Sequence, residues 1–257
     1  MADTPTPNAD SVTIQHAGHT HTVPMTRIQE LFHHSGGYTP GESWRVMKIM
    51  AEFIEGFEFL RTVGLSATIF GSARFTPDVP EYGEAVKLAA MLARDQYTIV
   101  TGGGPGIMEA ANKGAHDAGG ISIGMNISLP HTGGATEVRN SYLTRGMKFD
   151  YFFSRKVMMS FASEVYVFFP GGFGTLDEFF EMITLIQTHK TGPVPVVLVG
   201  TDFWQPLLAW VRSTVYEKYR AISADDMKLF TLVDTAEQAY VAIKQMRGDK
   251  YSRDTRG

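Results

Sequence analysis

"VYVFFPGGFGTLDEFFEMI", residues 165 to 183, decides the fold. The apolar run from Val165 to Phe169 has the length of a buried strand and is too short for a helix. Pro170, Gly171, Gly172 and Gly174 then interrupt it, and from Thr175 the spacing becomes helical, with a helix expected over 175–188. A strand that runs through a glycine turn directly into a helix is one half of a parallel β-α-β unit.

The same grammar repeats outward. "LSATIF" (65–70), "YTIV" (97–100), "GISIGMNI" (120–127), "EVYVFF" (164–169) and "VPVVLV" (194–199) read as buried strands. Between and after them, 80–94, 106–118, 147–162, 203–218 and 235–247 read as helices. This alternation predicts an α/β fold: a Rossmann-like, doubly wound, mostly parallel sheet with helices on both faces and right-handed crossovers. Ahead of it, Trp44, Met47, Met50, Ile54, Phe57 and Leu60 recur at helical intervals, so the spacing predicts an N-terminal helical extension over 41–62. The expected organisation is a flexible arm (1–40), that helix, a Rossmann-like nucleotide-binding domain (63–247) and a C-terminal tail (248–257).

Composition narrows the partners. A formal charge of -4, with no long Lys/Arg run, gives no footprint for nucleic acid or an anionic membrane. Without cysteine the chain has no disulfide, thiolate nucleophile or thiolate metal site. "MADTPTPNADS" lacks the basic and apolar regions of a secretory leader, and no stretch has the roughly 20 apolar residues of a spanning helix, so a cytoplasmic location is expected. His16, His19 and His21 in "HAGHTH" read as part of a solvated polar arm, and no metal is expected.

Three strand ends carry small-residue turns: "GSAR" (71–74), "TGGGPGIMEA" (101–110) and "PGGFGTLDE" (170–178). In an open α/β sheet such turns meet beyond the carboxyl ends of the strands, where glycine lets backbone N–H groups approach an anion and the next helix adds its positive end. Gly71, Ser72, Gly103, Gly104, Gly171, Gly172 and Gly174 are therefore candidate phosphate contacts. The G-x-G-x-x-G dinucleotide fingerprint fails at Glu109, and both G-x-x-x-x-G-K-[ST] and G-x-S-x-G are absent, which disfavours hydride transfer and the simplest kinase and acyl-hydrolase chemistries. In "MKFDYFFSRKVMMSF", helical spacing sends Phe152, Phe153, Met158 and Met159 to the core and Arg155 outward. "T-L-D-E" also spells a capping box, with Thr175 at the N-cap and Glu178 three places on.

"PGGFGTLDE", preceded by "SRK" and "TGGGPGIMEAANKGA", resembles the Lonely Guy (LOG) family of nucleoside 5′-monophosphate phosphoribohydrolases, often labelled lysine decarboxylase-like. The family pattern P-G-G-x-G-T-x-x-E is matched in full from Pro170 to Glu178, and the likeness covers roughly residues 65 to 220. It implies cleavage of the base–ribose bond of AMP or N6-modified adenine (cytokinin) nucleotides, with no cofactor, by a homodimer or higher homo-oligomer. It also implies catalytic roles for Arg155 and Glu178 and substrate contacts from Lys156, Gly171, Gly172, Gly174, Thr175 and Thr184. Where longer members carry Pro-His-Glu, this chain has Pro130, His131 and Thr132, a departure that bears on base preference. A carboxylate beside the sugar would stabilise the cation that develops as the base leaves. The competing readings are a non-catalytic nucleotide or cofactor carrier on the same fold and, from the historical label alone, amino-acid decarboxylation.

Overall fold

The computed structural model describes residues 11–16, 19–24, 40–128 and 138–254. The chain divides into two compact units, Met1–Met50 and Ala51–Gly257. In the first, β1 (Ser11–His16) and β2 (His19–Pro24) pair antiparallel, with Ile14 opposite His21 and His16 opposite His19. The sequence reading assigned no element there. The β-branched residues Val12, Thr13, Ile14, Thr20, Thr22 and Val23 account for the pairing. Helix α1 (Pro40–Leu60) crosses the boundary between the units.

The second unit is the expected α/β fold. In chain order it contains β3 (Ser66–Phe70), α2 (Pro80–Arg94), β4 (Thr98–Thr101), α3 (Ile107–Asp117), β5 (Ser122–Ile127), β6 (Arg145–Phe149) and α4 (Phe152–Ser160). It continues with β7 (Val165–Phe168), α5 (Phe173–Gln187), β8 (Val196–Val199), α6 (Thr201–Trp210), β9 (Thr231–Val233) and α7 (Ala236–Asp254). The seven strands form one all-parallel sheet in the order β6-β5-β4-β3-β7-β8-β9.

Period-2 alternation sorts the strands' apolar side chains between two cores. Ala67, Ile69, Ile99, Val165, Val167, Val197 and Val199 face α2, α3 and α7. Phe70, Val100, Ile123, Met125, Tyr166, Phe168, Val196 and Leu198 face α4, α5 and α6. On the first face small residues let the helices close up, and a Cβ on Gly114 would lie 2.2 Å from the Val86 carbonyl oxygen. On the second, Phe70 stacks on Phe168 at 4.9 Å, and Phe168 meets the edge of Phe179. Each large side chain removed from water this way contributes about 1.5–3 kcal/mol.

The elements that differ from expectation lie at edges and ends. Residues 147–149, read as the start of a helix, belong to β6, an edge strand whose exposed and half-buried residues alternate until Phe149, which is fully buried. That half-polar pattern hides a strand from an apolar-run criterion. The three-residue β9 was missed for its length. Residues 203–218 form α6 followed by a π-helical stretch, Val211–Lys218. Helix α7 extends to Asp254, well into the expected tail. Phe152 and Phe153 were expected in the core and are instead 55% and 47% exposed. Among the described residues no helix is long and apolar enough to cross a membrane.

Candidate active site

From β3 the chain winds outward through β4, β5 and β6, then returns to the other side of β3 for β7, β8 and β9. The crevice between the carboxyl ends of β3 and β7 is therefore the topological switch point, where ligands of open α/β sheets bind. The three small-residue turns meet there as a packed stack. Ser72 donates its N–H to the Pro170 carbonyl (3.0 Å), and its own carbonyl accepts from Ile107 N–H (2.9 Å). A Cβ on Gly71 would sit 2.6 Å from an Ile107 methyl, and one on Gly171 would sit 2.2 Å from Thr175 Oγ1 and 3.0 Å from Ser72 N.

These contacts divide the candidate phosphate contacts in two. Gly71 and Gly171 are glycine because neighbouring loops occupy their side-chain space. The N–H of Ser72 is already paired, which leaves its hydroxyl free to donate; its Oγ accepts from Arg74 N–H. Gly103, at φ +76°, donates its N–H to Thr101 Oγ1 and accepts from Asn140 N–H, while the Gly104 carbonyl accepts from Asn140 Nδ2. Gly172 and Gly174 differ: the space where their Cβ atoms would stand is open within 4 Å. Gly172 is the N-cap of α5 with no side-chain cap, so the N–H groups of the first turn, through Thr175, have no acceptor within the helix. A 15-residue helix with such a start is suited to an anion.

No capping box forms. The helix begins at Phe173, so Thr175 is its third residue and packs, buried, against Gly171. Gly172 in an extended conformation (φ -88°, ψ -162°) takes the N-cap position that the sequence pattern assigned to Thr175. Glu178 then lies in the second turn, free of any capping role.

Opposite α5, helix α4 supplies Arg155 and Lys156. Arg155 does not face outward: its Nε donates to the Met125 carbonyl (2.8 Å), and its guanidinium lies where a Cβ on Gly102 would be. Lys156 Nζ bridges α4 to α5, 2.7 Å from Asp177 Oδ2 and 3.2 Å from Glu181 Oε2. Burial works against the Lys156 charge, but Asp177 and Glu181 hold its pKa above the usual value. Glu178 is half-buried, and burial first, then the Glu181 charge, push its carboxyl up to about 8, against the pull of Lys156 and Arg155. Thr184 is exposed, its hydroxyl turned back to the Phe180 carbonyl, and the helix climbs about 9 Å between Glu178 and Thr184. Thr132 lies outside the described residues.

Several supporting residues escaped the sequence reading. Thr101 Oγ1 donates to Asn112 Oδ1, Asn112 Nδ2 donates to Ser122 Oγ, and Asn140 Nδ2 donates to Asn112 Oδ1, a buried network that pins the turn after β4. An asparagine among the alanines of α3 was the available signal. Glu52 of α1 accepts from Asp150 N–H (2.6 Å) and from the Ser154 hydroxyl, which ties down the segment that leads into α4. A bond reaching across 98 positions leaves no local pattern to read.

The family described as "Possible lysine decarboxylase" matches residues 108–243, just over half of the chain and including α4 and α5. The chain belongs to that family. Its curated relatives include the cytokinin riboside 5′-monophosphate phosphoribohydrolase LOG of Oryza sativa subsp. japonica, 28% identical over 165 residues. That match covers 63% of this chain and 65% of the rice protein, so the chain spans less than two thirds of that relative's length. The cytokinin riboside 5′-monophosphate phosphoribohydrolase of Rhodococcoides fascians is 27% identical over 142 residues, 54% of this chain and 70% of its own. Among solved structures, the molybdenum cofactor carrier protein of Chlamydomonas reinhardtii superposes with a TM-score of 0.52 at 22% identity, covering 72% of this chain and 98% of the other. The molybdenum cofactor binding protein of Rippkaea orientalis gives 0.52 at 20% identity, over 71% and 95%. These two likenesses concern the fold alone.

Proposed function

We propose that this chain is a nucleoside 5′-monophosphate phosphoribohydrolase acting on AMP-like or cytokinin nucleotides, with its catalytic domain over 63–247. The observation that carries the reading is on one helix: α5 opens with an uncapped, glycine-lined N-terminus suited to a phosphate and carries a half-buried carboxylate, Glu178, in its second turn. Gly172, Gly174 and Thr175 hold the 5′-phosphate with their backbone N–H groups, and Ser72 adds its hydroxyl. That anchor places the anomeric carbon against Glu178, so binding energy far from the reacting bond is turned into orientation. The C1′–N bond breaks with its electron pair leaving on the base, while Glu178 faces the positive charge that grows on the ribose. Water adds to C1′ to give ribose 5-phosphate and free base. Arg155, fixed by Met125 and Gly102, balances the negative charge of phosphate and carboxylate; Lys156 holds α4 and α5 at the spacing this needs.

The exposed aromatics around this end of the molecule, Phe152, Phe153 and Phe173, are 47% to 92% exposed and favour a second copy covering them in a homodimer or larger homo-oligomer.

Incubation with AMP, GMP, CMP and a cytokinin nucleotide, followed by separation of the free base, tests the activity. AMP should be cleaved about a hundredfold or more faster, as kcat/KM, than adenosine, which leaves the α5 N–H groups without their anion. Equal rates for the two would remove the phosphate anchor from the account. Nucleotide binding with no base released would make the chain a carrier.

The pH dependence follows from Glu178. Its carboxyl keeps its proton up to about pH 8, and the anion that faces the ribose cation is populated above that. The kcat/KM for AMP should therefore rise about tenfold per pH unit below 8 and level off above it. A flat profile between pH 6 and 9 would mean that Glu178 ionisation does not control the reaction.

A further inference from the structure

Asn126, near the carboxyl end of β5, is 5% exposed, and its amide nitrogen Nδ2 has no hydrogen-bond partner. Buried amide donors are almost always paired, so an orphan calls for a partner. Its surroundings are otherwise satisfied. Asn112 and Asn140 are paired within the network beneath the turn after β4, and the preceding residue, Met125, gives its carbonyl to Arg155 Nε. The Asn126 amide lies against Gly103, where a Cβ would stand 2.7 Å from Oδ1 and 2.9 Å from Nδ2. Asn126 and Arg155 therefore flank the same glycine turn, Arg155 at Gly102 and Asn126 at Gly103.

We propose that Asn126 is a substrate contact whose amide Nδ2 donates a hydrogen bond to an acceptor nitrogen on the purine ring of the nucleotide, an assignment that rests on the nucleotide reading above. Distance selects the base. From the β3–β7 crevice to β5 is two and a half strand spacings, about 12 Å, beyond a phosphate seated on α5 but within the span of an extended nucleotide. The group that arrives there is the base. A side-chain amide is the natural reader of a purine edge, as its pairing with adenine in nucleic-acid recognition illustrates. The contact also serves the chemistry. As the C1′–N bond breaks, its electron pair goes to the base, and a fixed donor at a ring nitrogen stabilises the charge that develops there. Water supplies the oxygen for C1′ and the proton that ends on the base; Asn126 donates a hydrogen bond and transfers no proton.

The test is calorimetric titration of the full-length protein, Asn126→Ser and Asn126→Asp with AMP and with ribose 5-phosphate, alongside base release and thermal unfolding. Ribose 5-phosphate has the anchor and the sugar but no base. Both variants should bind it within about twofold of the parent and bind AMP about tenfold more weakly. Equal weakening of the two ligands would show that the amide only supports the glycine turn, and no weakening of either would assign Nδ2 to a trapped water; each overturns the contact. Should Asn126→Asp fail to fold, the smaller Asn126→Ser decides alone. A parent that loses AMP affinity on substitution yet releases no base keeps the contact and loses the hydrolase reading. A parent that releases base with an unchanged KM in both variants does the reverse.

Discussion

Glu178→Gln should fold, bind AMP and release base about 10³-fold more slowly than the parent. Gln keeps the shape and hydrogen-bonding reach of the side chain and removes only its charge. Because α5 begins at Phe173 with Gly172 as its N-cap, Glu178 caps nothing, and the exchange costs the helix no terminal bond. Its stability effect has a definite sign. The folded-state carboxyl titrates near 8, above its unfolded value, so the ionised form is the destabilised one, and the parent loses stability as pH rises through that interval. The variant does not. Glu178→Gln should therefore match the parent near pH 5 and exceed it at pH 9 by about 1–2 kcal/mol after allowance for solvent screening, a Tm gain of roughly 3–6 °C. Inactivity with raised alkaline stability is the signature of a carboxylate kept for chemistry. A variant that hydrolyses AMP at the parental rate would leave the reaction without its ionic partner.

Gly106→Ala and Gly172→Ala should separate the two kinds of glycine at this site. Gly106, at φ +70°, ψ -133°, has a conformation that L-residues rarely adopt, and a Cβ there would stand 2.2 Å from the Ser72 carbonyl oxygen and 2.7 Å from the Ala73 carbonyl carbon. Both obstacles are backbone, so nothing flexible can yield. The expected cost is about 3 kcal/mol or more, enough to unfold much of the protein at moderate temperature, read as a large fall in the urea midpoint. Gly172→Ala meets open space at φ -88°, ψ -162°, a conformation alanine accepts. Its midpoint should stay within about 0.5 kcal/mol of the parent while AMP binding weakens about tenfold, because the new methyl stands where the phosphate approaches. Equal stability for the two variants would show that the stacked turns are looser than the packing implies.

The layers of the fold were legible because both sheet faces are buried: strands covered on each side become short continuous apolar runs, as at 65–70 and 194–199, and the intervening amphipathic helices keep a clear period. The edge strand β6 and the tripeptide β9 were not, since neither carries such a run. At the site, Gly172, Gly174 and Glu178 could be picked out because glycines at a strand-to-helix turn and an acid shortly after them form a local pattern. The direction of Arg155 could not. Helical geometry fixes the angle between neighbouring side chains, but which neighbour meets the sheet depends on where the helix lies, and here Met158 and Met159 go inward while Arg155 folds over the end of β4 and β5. Asn112, Asn140 and Glu52 work across long sequence separations, which a linear reading samples poorly. The capping-box reading failed for a different reason: Gly172 could take the N-cap position three residues early.

The central strand pair also dictates when the site can exist during folding. Ala67 pairs with Val165, and Ser66 N–H meets the Glu164 carboxylate across 98 positions, so β3 and β7 join only after the whole stretch between them is collapsed or looped out. Closing such a loop is entropically costly and slow compared with forming either winding alone. The phosphate crevice lies on that late seam, with Ser72 from one half and Pro170 to Thr175 from the other. A chain still emerging from the ribosome, or nicked between the halves and separated, lacks the complete site, because Ser72 and the α5 N-terminus come from different halves. Nucleotide therefore acts on the equilibrium only after assembly is complete, and every increment of affinity slows the parting of the two halves without hastening their meeting.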